Sequence, residues 1–506
     1  MKATHTEPSM SGDRYLNSKP TTLPHILFDR VKRYGNRVAL RQKRYGIWNE
    51  ISWKEYGESV CDVAAGLIDL GILPGDKVAV LSEDRLEWFY AELGIQTARA
   101  TTVGIYPTDT KEQSSFIVGH SEARVWIVED QEQFDKAMAT RSKLLQLETI
   151  VVIDKKGLHD VEDPSVISFS ELIQRGRDLR EKRSELLEER LNDLNEDDIA
   201  IYAYTSGTTG DPKGAMIAHS SLVGVIRPAA RAIEMQEGEE ILCYLPLCHI
   251  AERVVSILLG MTYGATVNCI EESETLFENL QEVSPTLFFG FPRLWERLMA
   301  QIEIEIDDSS WIHRKFYRSA LNIGYEYSRQ VLAGEKVSAG LTLLKKVADW
   351  LVFWKLREKL GLRRMRFAGC GGAPVAPRVL EFFHAIGVKI QEGYGQTEVS
   401  GFCTVMPADQ LKFGTIGKPL PGMDIRIADD GEILVRSPGN FQGYFKDPEK
   451  TAQALRGDWV HTGDVGEFDE EGFLKITGRI KDLIILSTGH NIAPQNLENL
   501  LKSSPY

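Results

Sequence analysis

Between Tyr204 and Gly214 the chain reads Tyr-Thr-Ser-Gly-Thr-Thr-Gly-Asp-Pro-Lys-Gly, placing three glycines, four Ser/Thr hydroxyls and one lysine in eleven residues. Glycines let a backbone turn tightly and bring its N–H groups close to an anion. The hydroxyls and Lys213 add donors and a positive charge, a combination suited to a polyphosphate. The pattern is not the G-x-x-x-x-G-K-[ST] loop, because Lys213 follows Pro212 and precedes Gly214. A Gly/Ser/Thr-rich surface turn is the plain alternative. The length of the stretch and the apolar, strand-like run Ile199–Ala203 before it favour phosphate binding.

Four further motifs follow in order: Gly371-Gly372-Ala373-Pro374, Gly393-Tyr394-Gly395-Gln396-Thr397-Glu398, His461-Thr462-Gly463-Asp464 and Gly478-Arg479-Ile480-Lys481-Asp482. With the first stretch they resemble the adenylate-forming superfamily: acyl- and aryl-CoA synthetases, luciferase-like enzymes and peptide-synthetase adenylation domains. That resemblance implies a reaction in which a carboxylate attacks the α-phosphate of ATP and expels pyrophosphate. The obstacle is bringing an anion up to a polyanion, so charge must be neutralised, the reacting oxygens aligned and water excluded.

The resemblance also assigns roles. Thr205, Ser206, Gly207, Thr208, Thr209, Gly210 and Lys213 would hold the β- and γ-phosphates, and Thr205 with Glu398 would hold Mg2+, a hard cation that takes oxygen ligands. Gly371, Gly372 and Ala373 would form a side-chain-poor turn that sandwiches the adenine with Tyr394, in a site that Gly393, Gly395 and Thr397 complete. Asp464 would accept hydrogen bonds from both ribose hydroxyls, reinforced by Arg479, while Lys481 would stand at a hinge. Thr397, Glu398 and His249 are the candidates for catalysis. His249 lies in Leu245-Pro246-Leu247-Cys248-His249-Ile250-Ala251-Glu252-Arg253, which in the family borders the acyl pocket and thiol entry; a structural histidine is the other reading. It need not be a base, because a carboxylate nucleophile is already ionised at neutral pH.

The LPLCHIAERV and FPRLWERL stretches, and a long helical insert opening at Ile312–Tyr317, are similar to long-chain fatty acyl-CoA synthetases. The expected activity is therefore a long-chain fatty acid–CoA ligase using ATP and coenzyme A. The alternatives are an aryl- or medium-chain acid–CoA ligase, or ATP and acyl binding without turnover. Within the insert, Lys345–Arg357 interleaves apolar and aromatic residues with basic ones. A membrane-surface helix and ordinary packing onto the body both remain open, packing being preferred.

The elements must position these motifs. Runs such as Lys77–Leu81, Val125–Val128, Thr149–Ile153, Ile241–Leu245, Ala265–Ile270 and Thr286–Phe289 read as strands buried on both faces, with helices such as Val60–Leu70 between them. Leu172–Leu194 reads as one amphipathic helix. Past Gly414 the pattern alternates, as in Asp424–Ile427 and Gly431–Arg436, which suggests antiparallel hairpins. The expected fold is α/β: two helix-covered, mostly parallel sheet subdomains, a smaller β-rich, barrel-like lobe, then the truncated start of a C-terminal α+β domain. The expected boundaries are an N-terminal adenylate-forming domain over 1–478 (the lobe at about 414–478), a hinge at 479–482 and the truncated start at 483–506. In the family that last domain supplies a catalytic lysine, which no residue here can be assigned.

Composition narrows the class. A chain of 506 residues exceeds one compact core. A net charge of −14 argues against a general nucleic-acid binder. The six cysteines are scattered without C-x-x-C pairs, which argues against zinc or a disulfide framework and fits a reducing cytoplasm. Met1–Pro20 has no apolar signal core, and no run approaches transmembrane length.

Overall fold

The structure, a computed structural model, describes residues 22–158, 161–205, 211–482, 484–485 and 491–492. The chain divides into two compact units. The first runs to Ser273 and also takes Thr397–Gly401 and Pro438–Leu455; the second comprises Glu274–Gln396, Phe402–Ser437 and the residues from Arg456 onward.

In the first unit, six parallel strands stand in the order Ile199–Thr205, Thr101–Ile105, Lys77–Leu81, Val125–Val128, Thr149–Val152 and Val166–Ser168. Lys213–Ala218 and Gly443–Tyr444 extend one edge antiparallel. All four residues of Val125–Val128 are buried, as expected of a parallel strand covered on both faces. A second group of strands, Glu240–Cys243, Thr266–Cys269 and Val38–Arg44, is parallel, with Ile47–Ser52 antiparallel at its side. The strand read as Ile241–Leu245 thus stops at Cys243, and the Leu245–His249 stretch is free to form a loop.

Helix Trp53–Asp69 starts at a reciprocal cap, in which Ser52 and Glu55 satisfy each other's backbone N–H. It crosses helix Phe169–Lys182 at glycines. A Cβ on Gly176 would lie 1.8 Å from the Asp62 carbonyl oxygen, and one on Gly66 2.2 Å from that of Leu172. The close crossing buries Asp62, which is paired with Arg177 at 2.8 Å and with Arg180. The single helix read over Leu172–Leu194 is in fact two, Phe169–Lys182 and Leu186–Asp193. The leucine spacing continues across the break, so periodicity hides it. Arg183 leaves helical geometry (φ −137°, ψ 73°), and the bend brings Leu187 onto Ala64, Ala65 and Ala98.

In the second unit Leu287–Gly290, Phe367–Cys370 and Ile390–Tyr394 are parallel, followed by antiparallel Thr404–Val405 and Lys418–Pro419. A separate antiparallel sheet contains Asp424–Ile427, Glu432–Arg436, Trp459–Phe468 and Leu474–Arg479. Residues 438–455, within the range read as the β-rich lobe, belong to the first unit. Ile484–Ile485 and Asn491–Ile492 pair antiparallel.

The first unit also buries charge. Glu92 and Arg253 form a 3.1 Å ion pair with both side chains about fully enclosed. Asp84 accepts from the Leu247 N–H at 2.8 Å, and burial with the nearby Glu252 pushes its carboxyl well above the usual range. Burial likewise pushes Glu252 up to about 7, although Ser256 donates to it. Glu252 is therefore protonated in the folded chain where the unfolded chain would have ionised it. The stability this supplies is full below about pH 4.5 and is lost as the pH rises towards 7. Urea unfolding at about pH 5 and about pH 8 should show Glu252→Gln losing roughly 3 kcal/mol less than wild type across that interval. Parallel pH profiles for the two chains would contradict it.

Candidate nucleotide-binding site

In the second unit, the turn Gly371-Gly372 leaves strand Phe367–Cys370 beside the end of strand Ile390–Tyr394. A Cβ on Gly371 would lie 2.8 Å from the Gly393 carbonyl oxygen, so the two glycine motifs abut. Gly372 has φ +81°, and a Cβ there would also press on the Phe291 ring at 2.7 Å. Both positions therefore need glycine. Ala373 and Pro374 follow at the exposed surface.

Asp464 is the centre of this half. Its carboxylate is buried, and its Oδ2 accepts from the Tyr394 hydroxyl at 2.6 Å and from Gln396 Nε2 at 2.8 Å. Its Oδ1 accepts from Arg479 Nε at 2.9 Å, the residue directly opposite it in the antiparallel ladder. Burial and the Asp464 carboxylate together hold the Tyr394 hydroxyl far above its usual pKa, so it stays a donor. A carboxylate offers about four lone-pair positions. Among the described residues three are taken, leaving one, on Oδ1. The turn is held from below by Glu432, whose Oε1 accepts from the Gly463 N–H at 2.9 Å and whose Oε2 pairs with His461 Nδ1 at 2.6 Å. Gly463 itself has φ +71°, a conformation that favours glycine.

In the first unit, Thr205 and Lys213, which flank the Gly/Ser/Thr-rich stretch, are register partners in an antiparallel strand pair. Ser206, Gly207, Thr208, Thr209 and Gly210 lie outside the described residues. Gly214 must lack a side chain, because a Cβ would meet the Tyr204 ring at 2.9 Å. The Lys213 ammonium lies 4.5 Å from the centre of the Tyr444 ring. The Tyr444 hydroxyl donates to Glu398 Oε1 at 2.6 Å. Tyr444 thus touches both the lysine and the carboxylate assigned to the phosphate end. Burial, reinforced by Glu398, raises its pKa and keeps the hydroxyl protonated. The backbone fixes the same pairing: the Phe441 N–H donates to the Glu398 carbonyl at 3.0 Å, and the Ser400 hydroxyl to the Gly439 carbonyl at 2.7 Å.

His249 caps the short helix Ile250–Glu252, its Nδ1 accepting from the Ala251 N–H at 3.1 Å. Burial, then the Arg253 charge, lowers its pKa, which favours a neutral ring with its proton on Nε2. The Gly393–Glu398 motif is divided, Gly393–Gln396 in the second unit and Thr397 with Glu398 in the first. Thr397 and Glu398 open a short 3-10 turn, Thr397–Val399, and Lys481 lies exposed in another, Ile480–Asp482.

Sequence reasoning passed over Gln396, Glu432 and Tyr444. Gln396 stood inside a motif already quoted. Glu432 opens an otherwise apolar strand, a signal in itself. Tyr444 carries no local signal, because its role comes from strand Gly443–Tyr444 adding to the edge at Lys213–Ala218.

The AMP-binding enzyme family matches residues 27–445. The chain is 33% identical over 496 residues to the long-chain-fatty-acid–CoA ligase ACSBG2 of Xenopus laevis, covering 96% of this chain and 66% of that protein. It is 34% identical over 485 residues to the long-chain-fatty-acid–CoA ligase FadD15 of Mycobacterium bovis, covering 95% of this chain and 78% of that one. The fold matches the crystal structure of the anthranilate CoA ligase AuaEII in complex with anthranoyl-AMP, with TM-score 0.72, 21% identity and coverage of 96% of this chain and 83% of that one. The chain thus spans about two thirds of the length of the Xenopus relative. The chain belongs to the AMP-binding, adenylate-forming enzyme family, and its relatives there are long-chain-fatty-acid–CoA ligases.

Proposed function

We propose that the protein activates a long-chain fatty acid with ATP to an acyl-adenylate and passes the acyl group to coenzyme A. The observation that carries this reading is the Asp464 carboxylate. It is buried and braced by Tyr394, Gln396 and Arg479, yet keeps one acceptor position. One ribose hydroxyl of ATP or of the adenylate fits that position, with the Gly371–Ala373 turn and Tyr394 at the adenine.

Lys213, Thr205 and the loop between them take the phosphates. Glu398 supplies a carboxylate oxygen and Thr205 a hydroxyl oxygen, a donor set that fits Mg2+, which binds through one or two carboxylates and completes its shell with substrate phosphates and water. When bound, that ion would neutralise charge along the phosphates. The chain's own residues do the rest. Tyr444 donates to one Glu398 oxygen and leaves the other for the metal. Lys213, lying against the Tyr444 ring, contributes a cation near the same carboxylate. His249, through the Ala251 N–H, positions the Leu245–Arg253 loop, the proposed border of the acyl pocket.

A long-chain acid supplies about 0.8 kcal/mol for each methylene it buries, so selectivity should rise with chain length. A cytoplasmic site at the periphery of a membrane is part of this reading, because such acids partition into lipid. Acyl-CoA products quantified by mass spectrometry after incubation with ATP, Mg2+, coenzyme A and acids of graded length test it. Long-chain acids should exceed short-chain and aryl acids. A preference for benzoate or butyrate would overturn it.

Two substitutions test the site. Glu398→Gln keeps an oxygen to accept from Tyr444, so fold and nucleotide affinity should change little. The lost metal ligand should cut adenylate formation, followed as pyrophosphate release, by several kcal/mol of transition-state stabilisation. Near-normal rates would remove Glu398 from the metal. Asp464→Ala should weaken ATP and a non-hydrolysable acyl-adenylate together, by about 1.5–3 kcal/mol in calorimetry, because both present the same ribose. Unchanged affinity for both would place the ribose elsewhere.

A further inference from the structure

Ten of the sixteen large apolar side chains that stand exposed among the described residues fall between Trp311 and Trp354. Helix Trp311–Leu332 and the helical run from Ala339 to Lys359 are joined by the connection 333–338 and pack together, the second running back along the first. The run's exposed residues Leu343, Val347, Trp350, Leu351 and Trp354 follow i, i+4, i+7, i+8, i+11, one continuous helical stripe. At the start of the first helix, Trp311 and Phe316 are 67% and 64% exposed; Trp350 is 74% exposed.

Three of the run's charges, Lys345, Asp349 and Arg357, are partly buried, while Lys346, Lys355, Glu358 and Lys359 stay exposed. Lys345 is turned in over the Phe353 ring at 4.6 Å and lies 3.8 Å from Asp349. Arg357 pairs with Asp349 at 2.7 Å and donates to the Ile386 carbonyl. A helix that turns Lys345 inward and its leucines and tryptophans outward is not arranged for folding alone. Ordinary packing onto the body, the reading preferred from sequence, therefore accounts for Ala348 and Phe353 but not for the outer stripe.

Charge points to what covers that stripe. Residues 311–360 carry ten Lys/Arg against four Asp/Glu, a net of +6 in a chain whose net charge is −14. Lys315, Lys346 and Lys355 are exposed beside the apolar residues, and none is in an ion pair among the described residues. Trp350 and Trp354 with leucines in one stripe, Lys at its margins and no helix apolar enough to cross a membrane among the described residues match an interfacial helix.

We propose that this helical hairpin docks the protein on an anionic bilayer surface, the Trp350 stripe entering the headgroup region and Lys346 and Lys355 contacting lipid phosphates. Sedimentation of the 506-residue chain with vesicles, without ATP or fatty acid, tests this independently of the ligase reading. Binding to phosphatidylcholine–phosphatidylglycerol vesicles should exceed binding to phosphatidylcholine alone by about tenfold or more and weaken with salt. Trp350→Ser with Leu351→Ser should lose binding to both vesicle types. Lys346→Glu with Lys355→Glu should lose only the anionic preference. All four positions are exposed, and unchanged thermal melts would show that each variant folds. The proposal is overturned if wild type stays with the supernatant, or if either variant pair binds as wild type does. It is also overturned if sedimentation velocity shows a dimer that Trp350→Ser with Leu351→Ser dissociates while vesicle binding is absent, since the stripe would then face a second copy.

Discussion

A carboxylate buried away from water must be surrounded by donors, and at Asp464 that requirement organises everything near it. Removing a carboxylate from water costs several kcal/mol unless its lone pairs are satisfied. Tyr394, Gln396 and Arg479 satisfy three, and each comes from a different place: a parallel strand's end, the turn after it and the facing strand of an antiparallel ladder. The strands must be in register for Arg479 to stand opposite Asp464. Glu432 must hold Gly463 for the carboxylate to point at Tyr394. The arrangement is thus a consequence of sheet geometry, and among the described residues it leaves one acceptor position, the one proposed for a ribose hydroxyl.

The first unit brings together the residues proposed for the phosphate end. Its mostly buried parallel strands end at Thr205, whose antiparallel partner is Lys213. Tyr444, delivered by the edge strand Gly443–Tyr444, joins Lys213 to Glu398 and so sets a cation and a carboxylate on one aromatic ring. Deeper in the same unit, the Glu92–Arg253 ion pair and the buried carboxyls of Asp84 and Glu252 add polar ties to the apolar packing of the Leu245–Arg253 loop. Those ties make the loop sensitive to protonation, because Glu252 titrates near neutrality.

Much of this was legible in the sequence. The parallel strands showed as short apolar runs, since burial on both faces removes alternation. Asp464, Glu398, Lys213 and the glycines of Gly371-Gly372 were singled out as candidates because they stand in local motifs, and the roles proposed for Asp464 and Glu398 came from the resemblance those motifs carry. What stayed hidden is non-local. The bend at Arg183 leaves the leucine period intact, and the assignment of residues 438–455 to the first unit depends on strand addition at Lys213–Ala218. Tyr444 was invisible for the same reason. Which face of Lys345–Arg357 meets the body was not legible either, because composition gives a helix's amphipathicity but not its orientation. The expectation that Asp464 takes both ribose hydroxyls also came from the resemblance alone; from the count of donors among the described residues we propose one.

That count is the most exposed part of the account. Titration calorimetry with non-hydrolysable acyl-adenylates lacking either the 2′- or the 3′-hydroxyl of the ribose tests it directly. One deoxy analogue should lose roughly 1.5–3 kcal/mol, the value of a hydrogen bond to a charged acceptor, and the other should bind nearly as well as the parent. Equal large losses for both analogues, or no loss for either, would contradict a single vacant position on Asp464 Oδ1.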